Sequence, residues 1–246
     1  MTRVPRPAGH LAPNSQASSA PSAPGPQDSG SIESLYPFLY SGATDIESVL
    51  EQARASTVAK VHEVMALREQ VRASSGEQLA ACASEAAQRF AAGGRLLTFG
   101  NGGSATDAQQ IATLFLYPGG GARPLPAIGL ASDPAVLSAL SNDVGVDVVF
   151  ARQIAAFGRP GDIAIGLSTS GNSENLLRAF DEASRRGLMT IGVAGYDGGK
   201  MAELGSIDFL FVAPSSSIHR IQEAQTTIYH VLWELIIAEL GEPDPI

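Results

Sequence analysis

Hydrophobic positions follow no period over the first thirty residues, where Pro, Ala, Ser and Gly crowd the stretch MTRVPRPAGHLAPNSQASSAPSAPGPQDSG. Such a segment has too little apolar surface to offset its chain entropy, so residues 1–43 are expected to be a disordered tail. From Thr44 the pattern changes. Ile46, Val49, Leu50 and Ala53 recur at three- and four-residue steps, and Val58, Val61, Val64, Met65 and Leu67 extend the stripe, which predicts a helix. A second helix is expected from Ser75 to Ala92, stopped by Gly93 and Gly94, so the two read as a helical hairpin. Its broad stripe has two destinations, the chain's own sheet or another subunit.

Beyond Gly94 the period alternates. Apolar runs at 95–99, 124–130, 162–167, 188–194 and 207–212 read as strands, with helical patterns near 104–116, 133–141, 147–157, 173–186 and 199–204 between them. A last helix is expected from Ile218 to Leu240, burying Ile221, Ala224, Ile228, Leu232 and Leu235. Five strands alternating with helices predict an α/β protein with a doubly wound five-stranded parallel sheet, in one domain over 44–240, with 241–246 a short C-terminal tail. In that architecture ligands sit beyond the carboxyl ends of the strands.

Two segments at such ends carry the chemistry. GNGGSATDAQQ at 100–110 and STSGNSEN at 168–175 each follow an apolar run and open a helical pattern. Glycines allow a sharp turn and close approach, the unpaired N–H groups of a helix's first turn point at the guest, and hydroxyls add donors. This suits a phosphate. Neither loop has the Lys of a P-loop or the spacing of the dinucleotide fingerprint, so a sugar phosphate is the better guest. For either loop alone, a plain strand-to-helix turn explains the sequence as well.

Bulk properties narrow the field. The 246 residues carry a formal charge of −9, which disfavours nucleic acid and anionic membranes as partners and leaves phosphate binding to backbone dipoles and hydroxyls. No apolar run is long enough to cross a bilayer, and Arg3 and Arg6 are not followed by the apolar core of a secretory signal, so a soluble, cytoplasmic protein is expected. The single cysteine, Cys82, reads as a small core residue. On the last helix, Gln222, Thr226 and His230 recur at four-residue steps, drifting by about 40° per step around the axis. A histidine there is either a structural residue or a functional one. His219, beside Arg220 at the start of that helix, reads as a solvated neighbour or a ligand contact.

GNGGSATDAQ at 100–109, SNDVG at 141–145, LSTSGNSEN at 167–175, GYDGGKMAELG at 195–205 and RIQE at 220–223 together resemble the sugar isomerase (SIS) domain family, with its flavodoxin-like fold, and within it the phosphoheptose isomerases. The resemblance spans residues 44 to 240. It implies a phosphate held by Ser168, Thr169, Ser170 and Ser173, and a sugar enclosed by Asn101, Gly102, Gly103 and Ser104 with Asp143 nearby. It also implies exchange of aldose and ketose sugar phosphates in a homo-oligomer, commonly a tetramer. Aldose–ketose exchange needs a base that moves a proton between adjacent carbons and an acid that handles the oxygens. In the family these are a Glu after the first loop and a His on the last helix, often gathered around zinc by a further His and a Gln.

Here the match is partial. Gln222 and His230 stand at the family's positions, but Gln110 stands where the other His is expected, Leu114 where the Glu is, and Pro118 where an Arg commonly reaches substrate. With two of four ligand positions lost, no metal is expected. A leucine cannot move a proton. Glu223, Glu174 and Asp107 are the available carboxylates, each equally readable as a cap or surface group, and His230 with Glu223 is the expected catalytic pair. Two functions follow: a metal-independent sugar-phosphate isomerase, and a non-catalytic module that senses a sugar phosphate or serves as an oligomeric scaffold, as in replication-initiator-associating relatives. A third reading, the sugar-binding part of a transcription regulator, lacks support because residues 1–43 hold no helix-turn-helix pattern.

Overall fold

A computed structural model describes residues 46–241. The tail expected at 1–43, and all of the expected C-terminal tail except Gly241, lie outside the described residues. The chain divides into two compact units between Ala53 and Arg54. The described part of the first is residues 46–53, the opening turns of a helix; the second holds all the other described residues.

Helix α1 (Ile46–Ala91) is a single rod of 46 residues, not the hairpin that the sequence suggested. Ser74, Ser75 and Gly76 interrupt the stripe without breaking the backbone. There is no proline, the Ser74 hydroxyl donates back to the Val71 carbonyl at 3.3 Å, and a lone glycine among good helix formers costs only about 1 kcal/mol. The helix stops where expected, at Gly93, whose φ of 89° suits a residue without a Cβ.

The sheet follows the sequence closely. Strands β1 (Leu96–Gly100), β2 (Ala127–Gly129), β3 (Ile163–Ser168), β4 (Met189–Gly195) and β5 (Phe209–Ala213) lie in the order β2-β1-β3-β4-β5, all parallel. Between them come α2 (Gly103–Leu116), α3 (Pro134–Val144), a 3₁₀ turn leading into α4 (Val149–Phe157), α5 (Glu174–Arg185) and α6 (Ile218–Leu240). The expected helix at 199–204 is a 3₁₀ turn over Gly199–Glu203, because Gly198 and Gly199 both adopt left-handed conformations that no α-helix accommodates.

Alternation along the strands sorts side chains onto two layers. Ile163, Ile165 and Leu167 face a core shared with α1, α2 and α6, while Ala164 faces one shared with α4 and α5. Small residues on that second face make room for rings. A Cβ on Gly166 would strike Phe99 and Phe180, whose rings meet edge-on at 5.1 Å. Cys82 is fully buried, and burial pushes its thiol up, so it is a core residue as expected. At the amino end of the sheet, buried Asp162 accepts from the backbone N–H groups of Arg95 and Arg159 and from the Arg95 guanidinium, tying β1 to β3. Among the described residues, no single helix is long and apolar enough to cross a membrane.

Candidate functional site

Strand order reverses between β1 and β3, which leave the sheet on either side of a crevice at their carboxyl ends. The two glycine- and hydroxyl-rich loops follow these two strands. The fold therefore brings together segments separated by nearly seventy residues.

The loop after β3 is shaped by its own hydroxyls. Ser168 Oγ accepts from the Gly171 N–H at 3.0 Å and lies 3.5 Å from Ser173 Oγ, while Ser170 Oγ accepts from the Asn172 N–H at 3.2 Å. Gly171 has φ 66°, and a Cβ there would collide with the Gly198 carbonyl, so only glycine fits. Ser173 caps α5 in extended conformation without a side-chain cap bond. Among the described residues, no hydrogen bond occupies the N–H groups of Ser173, Glu174 or Asn175. These amides form the mouth of a cradle at a positive helix end. Thr169 and Ser170 lie half-buried on its wall, and Glu174 turns away to pair with Arg178 at 2.9 Å.

The loop after β1 faces it. Gly102, at φ 54°, opens α2, and Ser104 is buried in its first turn. Asn101 and Asn175 exchange two amide hydrogen bonds of 2.9 Å, bolting one loop to the other. The floor comes from α6: Gln225, fully buried, donates through Nε2 to the carbonyls of Ser168 and Val193, both at 3.3 Å. Gln222 lies against Gly103, where a Cβ would displace its amide. Thus Asn101, Gly102, Gly103, Ser104, Ser168, Thr169, Ser170, Ser173 and Gln222 gather around one crevice. Asn175 and Gln225 had gone unnoticed in the sequence. Asn175 was legible as the last residue of the second loop; Gln225 was not, since only packing shows which face of α6 meets β3 and β4.

Other expected residues are less closely joined. Asp143 is exposed on the last turn of α3 and accepts from the Asn142 side chain at 2.9 Å. His230 is half-buried on α6, its ring stacked on Tyr229 at 5.0 Å. Glu223 is exposed and ion-paired with Arg220, itself 3.5 Å from Glu63; no hydrogen bond joins Glu223 to His230 among the described residues. His219 is exposed one turn earlier. Among the described residues, Asp107 Oδ2 on α2 and the Tyr229 hydroxyl on α6 are buried without hydrogen-bond partners. Burial lifts the Asp107 carboxyl above the usual range; burial, and in addition the charge of Asp107, lifts the Tyr229 phenol.

The donor set does not fit zinc. Gln110 is exposed on α2, Leu114 offers no donor, and among the described residues no cluster of three or more His, Cys, Asp or Glu side chains could hold a metal ion. What remains at the crevice is a set of backbone amides and hydroxyls whose chemistry suits an anion.

A family model described as the SIS domain matches residues 61–195. A phosphoheptose isomerase of Pelodictyon phaeoclathratiforme is 44% identical over 178 residues, covering 71% of this chain and 84% of the relative. One of Aquifex aeolicus is 47% identical over 145 residues, covering 58% and 75%. The solved phosphoheptose isomerase of Neisseria gonorrhoeae superposes with a TM-score of 0.68 at 33% identity, covering 77% of this chain and 99% of that one. The strand order, the paired loops and this similarity over most of the relatives' length have one reading: the chain belongs to the SIS domain family and, within it, to the phosphoheptose isomerases.

Proposed function

We propose that this protein binds a sugar phosphate and interconverts its ketose and aldose forms, with sedoheptulose 7-phosphate the substrate its relatives suggest, and that it does so without a metal. The observation that carries the reading is the set of unoccupied N–H groups at Ser173, Glu174 and Asn175, framed by the hydroxyls of Ser168, Ser170 and Ser173. Such a cradle gives orientation: with the phosphate fixed, the reacting carbons of the sugar lie at a set distance from the helix-borne groups.

A base takes a proton from C1 of the ketose while O2 gains one, giving an enediol. Loss of the O1 proton and return of a proton to C2 then give the aldose. His230 acts on the oxygens, and Glu223 carries the carbon-bound proton. To reach the sugar, Glu223 must leave Arg220, whose side chain is largely buried and which lies 3.5 Å from Glu63 as a second carboxylate. The reaction is expected to survive chelator treatment, because no step needs the ligands that Gln110 and Leu114 have replaced.

The same replacements favour a second reading, in which the cradle binds a sugar phosphate without turning it over. Purified protein incubated with sedoheptulose 7-phosphate separates the two. Aldose product that His230→Ala abolishes supports the isomerase. Binding without product in the parent, with turnover appearing only in the zinc-loaded Gln110→His, Leu114→Glu double variant, supports the sensor. No calorimetric heat with phosphorylated sugars that Ser170→Ala removes would overturn both.

The assembly proposed is a homotetramer in the cytoplasm. Its support is the exposed face of α1, where Val58, Val61 and Met65 are each more than half open to solvent. A neighbouring subunit on this face would also lie close to Glu223, which shares a cleft with Val61 and Met65.

A further inference from the structure

The loop after β3 has two sides. One faces the crevice and β1. The other, carrying Asn172 and bordered by Ser170, which the cradle shares, faces the turns that follow β4 and β5, and between these three turns lies an open cleft of about 720 Å³. Tyr196, Asp197, Pro214, Ser215 and Ser216 complete its lining, and the catalytic reading above uses none of these five.

The chemistry of the lining selects a ligand class. It contains one aromatic ring, one carboxylate, three serine hydroxyls and one amide, and no basic side chain. A second phosphate would meet Asp197 with no cation to offset it. An apolar ligand would leave hydroxyls and carboxylate without partners. A sugar ring suits both parts: its C–H face lies against an aromatic face, and its hydroxyls donate to a carboxylate and exchange bonds with serines.

The walls are already in place. Tyr196 is the one non-glycine residue among those described with a left-handed backbone, at φ 52°, a conformation that costs a β-carbon-bearing residue about 1–2 kcal/mol. The turn holding it is fastened at several points. Asp197 Oδ1 accepts from the Gly199 N–H at 3.1 Å, Asn172 Oδ1 accepts from the Lys200 N–H at 3.0 Å, and the Met201 N–H donates to the Gly171 carbonyl at 3.0 Å. The result is a tyrosine held at the rim of the cleft, 39% exposed. A glycine would take this turn without strain, so the ring is retained at a local cost.

We propose that this cleft is a second binding site, for the ring of a neutral sugar, adjoining the phosphate cradle at Ser170 and independent of whether the protein is an isomerase.

Methyl α-D-mannopyranoside and methyl β-D-glucopyranoside are suitable probes, having no phosphate for the cradle and no free carbonyl to isomerise. Saturation-transfer NMR on the full chain should show transfer to the ring C–H protons of at least one of them. Tyr196→Gly should weaken that binding about fivefold, the change expected for an aromatic contact of about 1 kcal/mol. Because glycine relieves the left-handed strain, this variant should fold at least as well as the parent. Tyr196→Phe should retain binding, Asp197→Asn should weaken it, and sedoheptulose 7-phosphate should bind all three variants as it binds the parent. The proposal is overturned if neither glycoside shows transfer, if Tyr196→Gly leaves transfer unchanged, or if inorganic phosphate displaces the glycoside. Glycoside binding in a protein that takes up no sugar phosphate would sink the isomerase reading and leave the cleft standing.

Discussion

Asn101 and Asn175 meet through two mutual amide bonds, and Asn175 is buried. Truncating one amide strands the other, and a buried polar group left alone costs about 1–3 kcal/mol. Asn175→Ala should therefore lower the free energy of unfolding in urea by that amount and weaken sugar-phosphate binding by more than Ser170→Ala does, since it releases the whole β1 loop. Asp107 makes a prediction of the opposite sign. Folding raises its pKa by burial, so its contribution to stability is fully present below the ordinary aspartate value and is lost as pH climbs through the raised one. Asp107→Asn should then be more stable than the parent at neutral pH, with the gap closing as pH falls through the normal aspartate range; pH-dependent chemical denaturation tests this. A gap that stays constant with pH would show that the carboxyl is not raised.

At the scale of elements, α1 shows where local pattern misleads. Ser74-Ser75-Gly76 looks like a break, yet the helix runs through it, and nothing lies within 4 Å of where a Cβ on Gly76 would be. Gly76→Ala should stabilise the protein by up to about 1 kcal/mol in thermal unfolding. A turn with a left-handed glycine would instead be destabilised by the same change. The strands were legible because alternating and continuous apolar runs match their burial, as in the fully buried β3 and β4. The turn at Gly199–Glu203 was less legible, since its few helical positions carry the same residues whether wound as α or 3₁₀.

For the whole molecule, the exposed stripe on α1 bears on assembly. Helix α1 begins to bury side chains only at Leu67, so Val58, Val61 and Met65 stand open to solvent among the described residues. Val61→Glu combined with Met65→Lys should leave the fold intact by circular dichroism and lower the mass of the proposed tetramer in light scattering. Unchanged mass would exclude this face from the interface. The net charge of −9 also has a consequence at this scale: with no excess of cations, phosphate recognition rests on short-range amide donors, and binding should weaken only modestly with added salt.

The sequence by itself determined the alternation of five strands with helices beyond Gly94, the parallel α/β class and the two glycine- and hydroxyl-rich loops at strand ends, because each rests on spacing or on the presence of particular side chains. Tertiary structure alone decided that β1 and β3 are neighbours, that Asn101 meets Asn175, and that Gln225 donates to the carbonyls of Ser168 and Val193. The physical reason is common to all three. Period and propensity act over a few residues, whereas partners far apart in the chain are chosen when strands order themselves and helices find the face that buries most.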